Sequence, residues 1–165
     1  MPKRWGSRHP HFRKKRVFTV LGSLTLQVWR LEFLDNSTKK DMEEALGAIV
    51  SMINKTEKAK EKFAQGTPQH TLQKNRLQAL NIVLSLISKE LAESDDLDYY
   101  SKEDLKEAFA PITSLISKSE KSQKKVAQGT WQHTMLSNNL KALYIALPLL
   151  TKAFSEISAE KEQIE

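Results

Sequence analysis

The residues best suited to chemistry are two histidines that share one setting. His70 and His133 stand 63 positions apart, in A-Q-G-T-P-Q-H-T (64–71) and A-Q-G-T-W-Q-H-T (127–134). Imidazole titrates near neutrality and can hold an anion, move a proton or ligate a metal. Lys62 and Lys125 precede the two strings; Thr67, Gln69, Thr130 and Gln132 lie inside them. Lysine, glutamine, threonine and histidine together are hydrogen-bond donors for a phosphate or a carboxylate. These eight residues form the candidate ligand-binding set.

A purely structural account of the same string competes with this one. Gly66 and Gly129 sit where a helix ends and φ turns positive. Thr67 and Thr130 follow as N-caps, and Pro68 fills a first helical position, where a missing N–H costs nothing. Lysine near helix C-termini and acid near N-termini is ordinary dipole complementation. A histidine in the first turn of a helix can simply cap or pack. Glu57 and Glu120, with Asn75 and Asn138, recur in both halves, but no two of these and the histidines stand at the spacing of H-E-x-x-H or E-x-x-H, so no metal is expected.

Catalytic patterns are missing. There is no Gly-rich phosphate loop, no G-x-S-x-G, no H-E-x-x-H and, with no cysteine in the chain, no thiol nucleophile or Cys-ligated zinc. Nothing beside the histidines offers a nucleophile or an orienting acid. The expectation is a protein that is not an enzyme and takes no cofactor. The lack of cysteine suits a reducing compartment, the cytoplasm. No apolar run approaches the 18 or so residues of a membrane span, so no transmembrane segment is expected.

The elements that position the strings come from an internal repeat. Residues 34–91 align without a gap onto 97–154, and roughly half the paired positions are identical. In each repeat, Thr38 with Asp41, or Ser101 with Asp104, resembles a capping box that opens a helix. Met42, Ala45, Leu46, Ile49, Met52, Ile53, Thr56 and Phe63 follow at helical spacing, and the copy runs from Leu105 to Val126. After the Gly-Thr turn a second helix carries Leu72, Leu77, Ala79, Leu80, Ile82, Val83, Leu84, Leu86 and Ile87. That sector is wider than half a helix, so the second helix of each pair should be the more buried. Pro111 and Pro148 fall inside helices and should kink them. The tail after Phe154 should extend the last helix and fray.

One hairpin cannot bury such faces, but two can. The expected fold is all-α: a tandem duplicated helical hairpin forming a pseudo-twofold antiparallel four-helix bundle over 34–165. Both Q-G-T turns then share one end.

Charge sharpens this picture. The chain's formal +6 lies in residues 1–33, which carry eight basic groups against Glu32; residues 34–165 net −1. Met1–Arg16 has the composition of a disordered basic arm. Val17–Phe33 is apolar and suits a hairpin about Gly22-Ser23, or, behind Arg13–Arg16, the hydrophobic part of a signal peptide. The segment also suits an appended or translated upstream stretch. Within the body, 55–76 net +4 and 118–139 net +3, leaving −8 elsewhere. The bundle is therefore polarised along its axis, with both histidine strings at the positive end.

Two functional classes follow. The leading expectation is a non-enzymatic helical interaction module that binds a protein partner or forms a homo-oligomer, with Tyr99, Tyr100, Trp131 and Tyr144 as its exposed apolar contacts. Trp131 replaces Pro68, so the turn does not require its size. Tyr144 and Pro148 replace Asn81 and Ser85, which suggests a partly apolar outer face on the last helix. The alternative is anion, phosphate-ligand or nucleic-acid binding at the basic end.

Overall fold

The computed structural model describes residues 38–94 and 100–162. The segment 1–33, the first positions of the repeat match and Tyr99 lie outside them. Four helices pack against one another: α1 (Lys39–Glu61), α2 (Pro68–Ala92), α3 (Lys102–Gln123) and α4 (Trp131–Glu162). The described residues form a four-helix bundle.

Each helix starts where its residues supply a cap. Thr38 accepts the main-chain N–H of Asp41 at 3.2 Å, and Asp41 Oδ2 accepts that of Thr38 at 3.0 Å. Ser101 and Asp104 form the same reciprocal box at 3.1 and 3.0 Å. Each box satisfies two of the N–H groups that a helix start leaves without an intrahelical partner.

The helix order is antiparallel throughout. Asp41 at the start of α1 meets Lys141 of α4, whereas Lys55 farther along α1 meets Met135 earlier in α4. Packing joins α1 to α2, α3 to α4, α1 to α4 and α2 to α3, while α2 also touches α4 across the diagonal. That diagonal contact explains the wide apolar sectors. Leu77, Ala79, Leu80, Ile82, Val83 and Ile87 of α2 are buried, as are Leu140, Ala142, Leu143, Ile145, Ala146, Leu149 and Leu150 of α4. The outer pair bury narrower stripes, Met42–Thr56 on α1 and Leu105, Ala108, Ile112 and Ile116 on α3.

Several expectations need correction. Phe63 and Leu72 are exposed, at 38% and 45%, because α1 stops at Glu61 and Leu72 lies on the rim of α2 rather than its core face. Tyr100 and Tyr144 are half-buried, so neither is a free apolar contact. Pro148 is buried, so the last helix has no apolar outer face there. Both α3 and α4 continue through their prolines. Pro111 and Pro148 each remove one hydrogen bond without ending the helix. The expected tail extension is present, as α4 runs to Glu162.

The stretch Trp131–Ala159 of α4 is long and apolar enough to cross a bilayer by length and composition, with mean hydropathy 1.2. In the bundle 44% of that window is buried. A helix that touches three others must be apolar over most of its surface whether or not lipid is present.

Candidate functional site

The turns carrying the histidines are built by glycine and threonine. Gly66 and Gly129 hold φ of +84° and +83°, a region in which a Cβ is strained. Each glycine turns the chain so that the next residue caps a helix. Thr67 Oγ1 accepts the His70 main-chain N–H at 3.3 Å and donates to the Ala64 carbonyl at 2.7 Å. Thr130 makes the same pair with His133 and Ala127, at 3.3 and 2.7 Å. The Thr71 and Thr134 N–H groups bond to the Thr67 and Thr130 carbonyls at 3.0 and 3.1 Å. Most of the free N–H groups expected here are thus consumed by the caps themselves. In α2 Pro68 has none to offer, and Gln69 keeps the one N–H of the first turn not used by the cap.

The side chains of the candidate set differ in burial. Lys62, Lys125, Gln69 and Gln132 are exposed. His70 and His133 are half-buried, and neither imidazole makes a hydrogen bond among the described residues. His70 lines a shallow cavity of ≈ 570 Å³ with Lys60, Gln65, Gly66, Thr71, Lys74 and Asn75. Every one of those residues belongs to the first half of the body. The other members of the candidate set do not line it. Among the described residues no group of three His, Asp or Glu could hold a metal ion.

Two grooves on the flanks were not expected. The α1–α4 groove (≈ 560 Å³) has a floor of Ala45, Ala48 and Ala142, with Trp131 and Met135 toward one end and Glu44 and Lys141 toward the other. The α2–α3 groove (≈ 670 Å³) has Ala79, Ala108 and Pro111 below Leu72, with Gln78, Asp104 and Glu107 at its far end. Residues 63 positions apart recur in the two: Ala45 and Ala108, Ala142 and Ala79, Met135 and Leu72, Asn138 and Asn75. Alanines at helix-facing positions are the sequence signal. They leave furrows because short side chains cannot fill the space between neighbouring helices.

The rims differ. Trp131 is 69% exposed, the most exposed large apolar residue described, and Pro68 stands at the matching sequence position in α2. Lys141 Nζ lies 2.5 Å from Asp41 Oδ1 and 3.6 Å from Glu44. This holds the Asp41 carboxyl down at about 2, chiefly through the Lys141 hydrogen bond and then through those from Thr38.

One charged residue lies where the sequence analysis placed no buried charge. Arg76 is 7% exposed in the interior, although arginine is almost never buried without a partner. Its signal was available: it is the only arginine after residue 33, placed four residues from both Leu72 and Leu80.

No family model matches the chain, and comparison with the curated proteins and with the solved structures gives no match either.

Proposed function

We propose that the bundle is a non-enzymatic interaction module that pairs with a second copy of itself through the α1–α4 groove. The observation that carries this reading is Trp131: a tryptophan 69% exposed beside a furrow floored by alanine. Tryptophan is the residue most enriched among interface anchors, and its burial is strongly favourable.

Charge selects the second copy as occupant and sets its direction. Within residues 34–165, with +7 on the two turn segments and −8 on the rest, two parallel copies would repel at both ends. An antiparallel pair lays the basic end of one on the acidic end of the other. A twofold axis across the groove also makes the contact self-complementary, as a closed dimer requires. Trp131 of one copy then reaches the Glu44–Lys141 end of the other. There a carboxylate can accept the indole N–H and an ammonium can lie on its face.

The area is sufficient. α1 has 23 residues, about 35 Å of helix, and two helices side by side are about 18 Å wide. That footprint is about 600 Å² per copy, or roughly 1,200 Å² in all, the lower bound of specific interfaces.

Sedimentation equilibrium across a wide concentration range tests the reading. Wild type should dimerise, more weakly as salt is raised, and Trp131→Ala or Trp131→Pro should weaken dimerisation at least tenfold. A protein monomeric at every concentration, or a dimer indifferent to both substitutions, would overturn it.

A further inference from the structure

Arg76 is the odd residue of the interior. Its Nε is sealed from solvent and has no hydrogen-bond partner, the only buried side-chain nitrogen or oxygen so stranded among the described residues. No carboxylate of the described residues pairs with it. A guanidinium does not shed its proton in a protein, so the charge stays, and at Nε no group replaces the hydration lost on burial. The fold does not demand it, because Asn139 holds the corresponding position in α4.

Its direction follows from helix geometry. Leu80 and Ala79, four and three residues on, are buried, so Arg76 lies on the core side of α2. Helical side chains lean toward the N-terminus, which sends this one back over Leu72 and Gln73 toward Gln69. Arg76 starts eight residues into α2, about 12 Å from its first residue, and its long side chain covers much of that distance. Gln73 is half-buried on the same side. Gln69, seven residues before Arg76, shares its face and keeps the N–H that the Thr67 cap leaves over. Each of these groups can donate, they sit toward the positive end of the α2 dipole, and the surrounding segment nets +4.

We propose that Arg76, Gln73 and the Gln69 main-chain N–H form a binding site for a phosphate group at the basic end of the bundle. A phosphate supplies acceptors for a forked guanidinium and for an adjacent N–H together, and it neutralises the stranded charge. The proposal is independent of the dimer, since Arg76 lines neither groove.

Calorimetric titration and thermal melts of the full chain test it at constant ionic strength. Inorganic phosphate is one arm and glycerol phosphate the other; tighter binding of the ester assigns the site to an organic phosphate, and equal binding to the free ion. Wild type should bind at one saturable site and melt at higher temperature. Arg76→Asn, which copies the second half, and Arg76→Met should bind at least tenfold more weakly while melting no lower than wild type without phosphate. Should neither fold, Gln73→Ala carries the test with an expected loss of about threefold. The N-terminal basic segment is present in every variant, so an unchanged response would mean diffuse attraction to lysine and arginine and would overturn the proposal. So would no response in wild type.

Discussion

Lys141 of α4 and Asp41 of α1 form an ion pair 2.5 Å apart that ties the first and last helices together. At the matching place on the other flank, Gln78 stands 3.5 Å from Asp104. One seam is charged and the other is neutral on one side. The Asp41 carboxyl, held at about 2 by Lys141 and Thr38, binds its proton more weakly folded than unfolded. Its contribution is therefore complete above about pH 4 and is lost as pH falls from 4 toward 2. The pair is partly solvated, so the term is on the order of 1 kcal/mol. Acid unfolding followed by circular dichroism should show Lys141→Gln losing that term, with wild type and variant converging near pH 2. Gln78→Lys should give the second seam a small gain of the same pH dependence.

Backbone sign predicts opposite outcomes for two kinds of turn. Gly66 and Gly129 have φ above +80°, and an added Cβ would touch nothing within 4 Å. Alanine there costs about 1 kcal/mol of conformational strain without a clash. Glu93 ends α2 at φ +48° without being glycine. Glu93→Gly should gain about 0.5 kcal/mol, because the left-handed strain removed exceeds the added unfolded-state entropy. Urea midpoints of the three variants check both signs.

Tyr144 donates its hydroxyl to Glu120 of α3. Burial, then this hydrogen bond, pushes the phenol well above its usual 10. The raised value means the neutral phenol is favoured by folding. Its stabilisation is complete below pH 10 and fades as pH rises through the folded value. Difference ultraviolet titration of wild type against Tyr144→Phe should show this phenol still protonated above pH 10. The substitution should also cost about 1–2 kcal/mol at neutral pH, since Glu120 is half-buried.

The histidines should be nearly dispensable for folding. Their contribution to the turns is a main-chain N–H, which alanine retains. His70→Ala and His133→Ala should each shift stability by less than about 1 kcal/mol, whereas Thr67→Ala and Thr130→Ala should each cost about 1 kcal/mol by removing a cap. Thermal melts of the four variants would show a loss above 2 kcal/mol if either imidazole were holding the packing instead.

What the sequence determined by itself was local. Thr38 with Asp41, Ser101 with Asp104 and the two Gly-Thr turns were readable because capping and positive φ depend on a few adjacent residues. Helical spacing of apolar residues and the breadth of the α2 and α4 sectors likewise foretold a four-helix bundle with those two helices most buried. Tertiary structure decided how distant side chains meet. It exposed Leu72 and tucked in Tyr144, because a helical wheel gives an angle but not the neighbour that covers it. It set His70 in a shallow cavity lined by its own half of the body, because the residues that line a cavity are chosen by packing and not by the repeat. It opened furrows over the alanines and stranded Arg76, because free space and unmet hydrogen bonds belong to the packed assembly of helices and to no single segment.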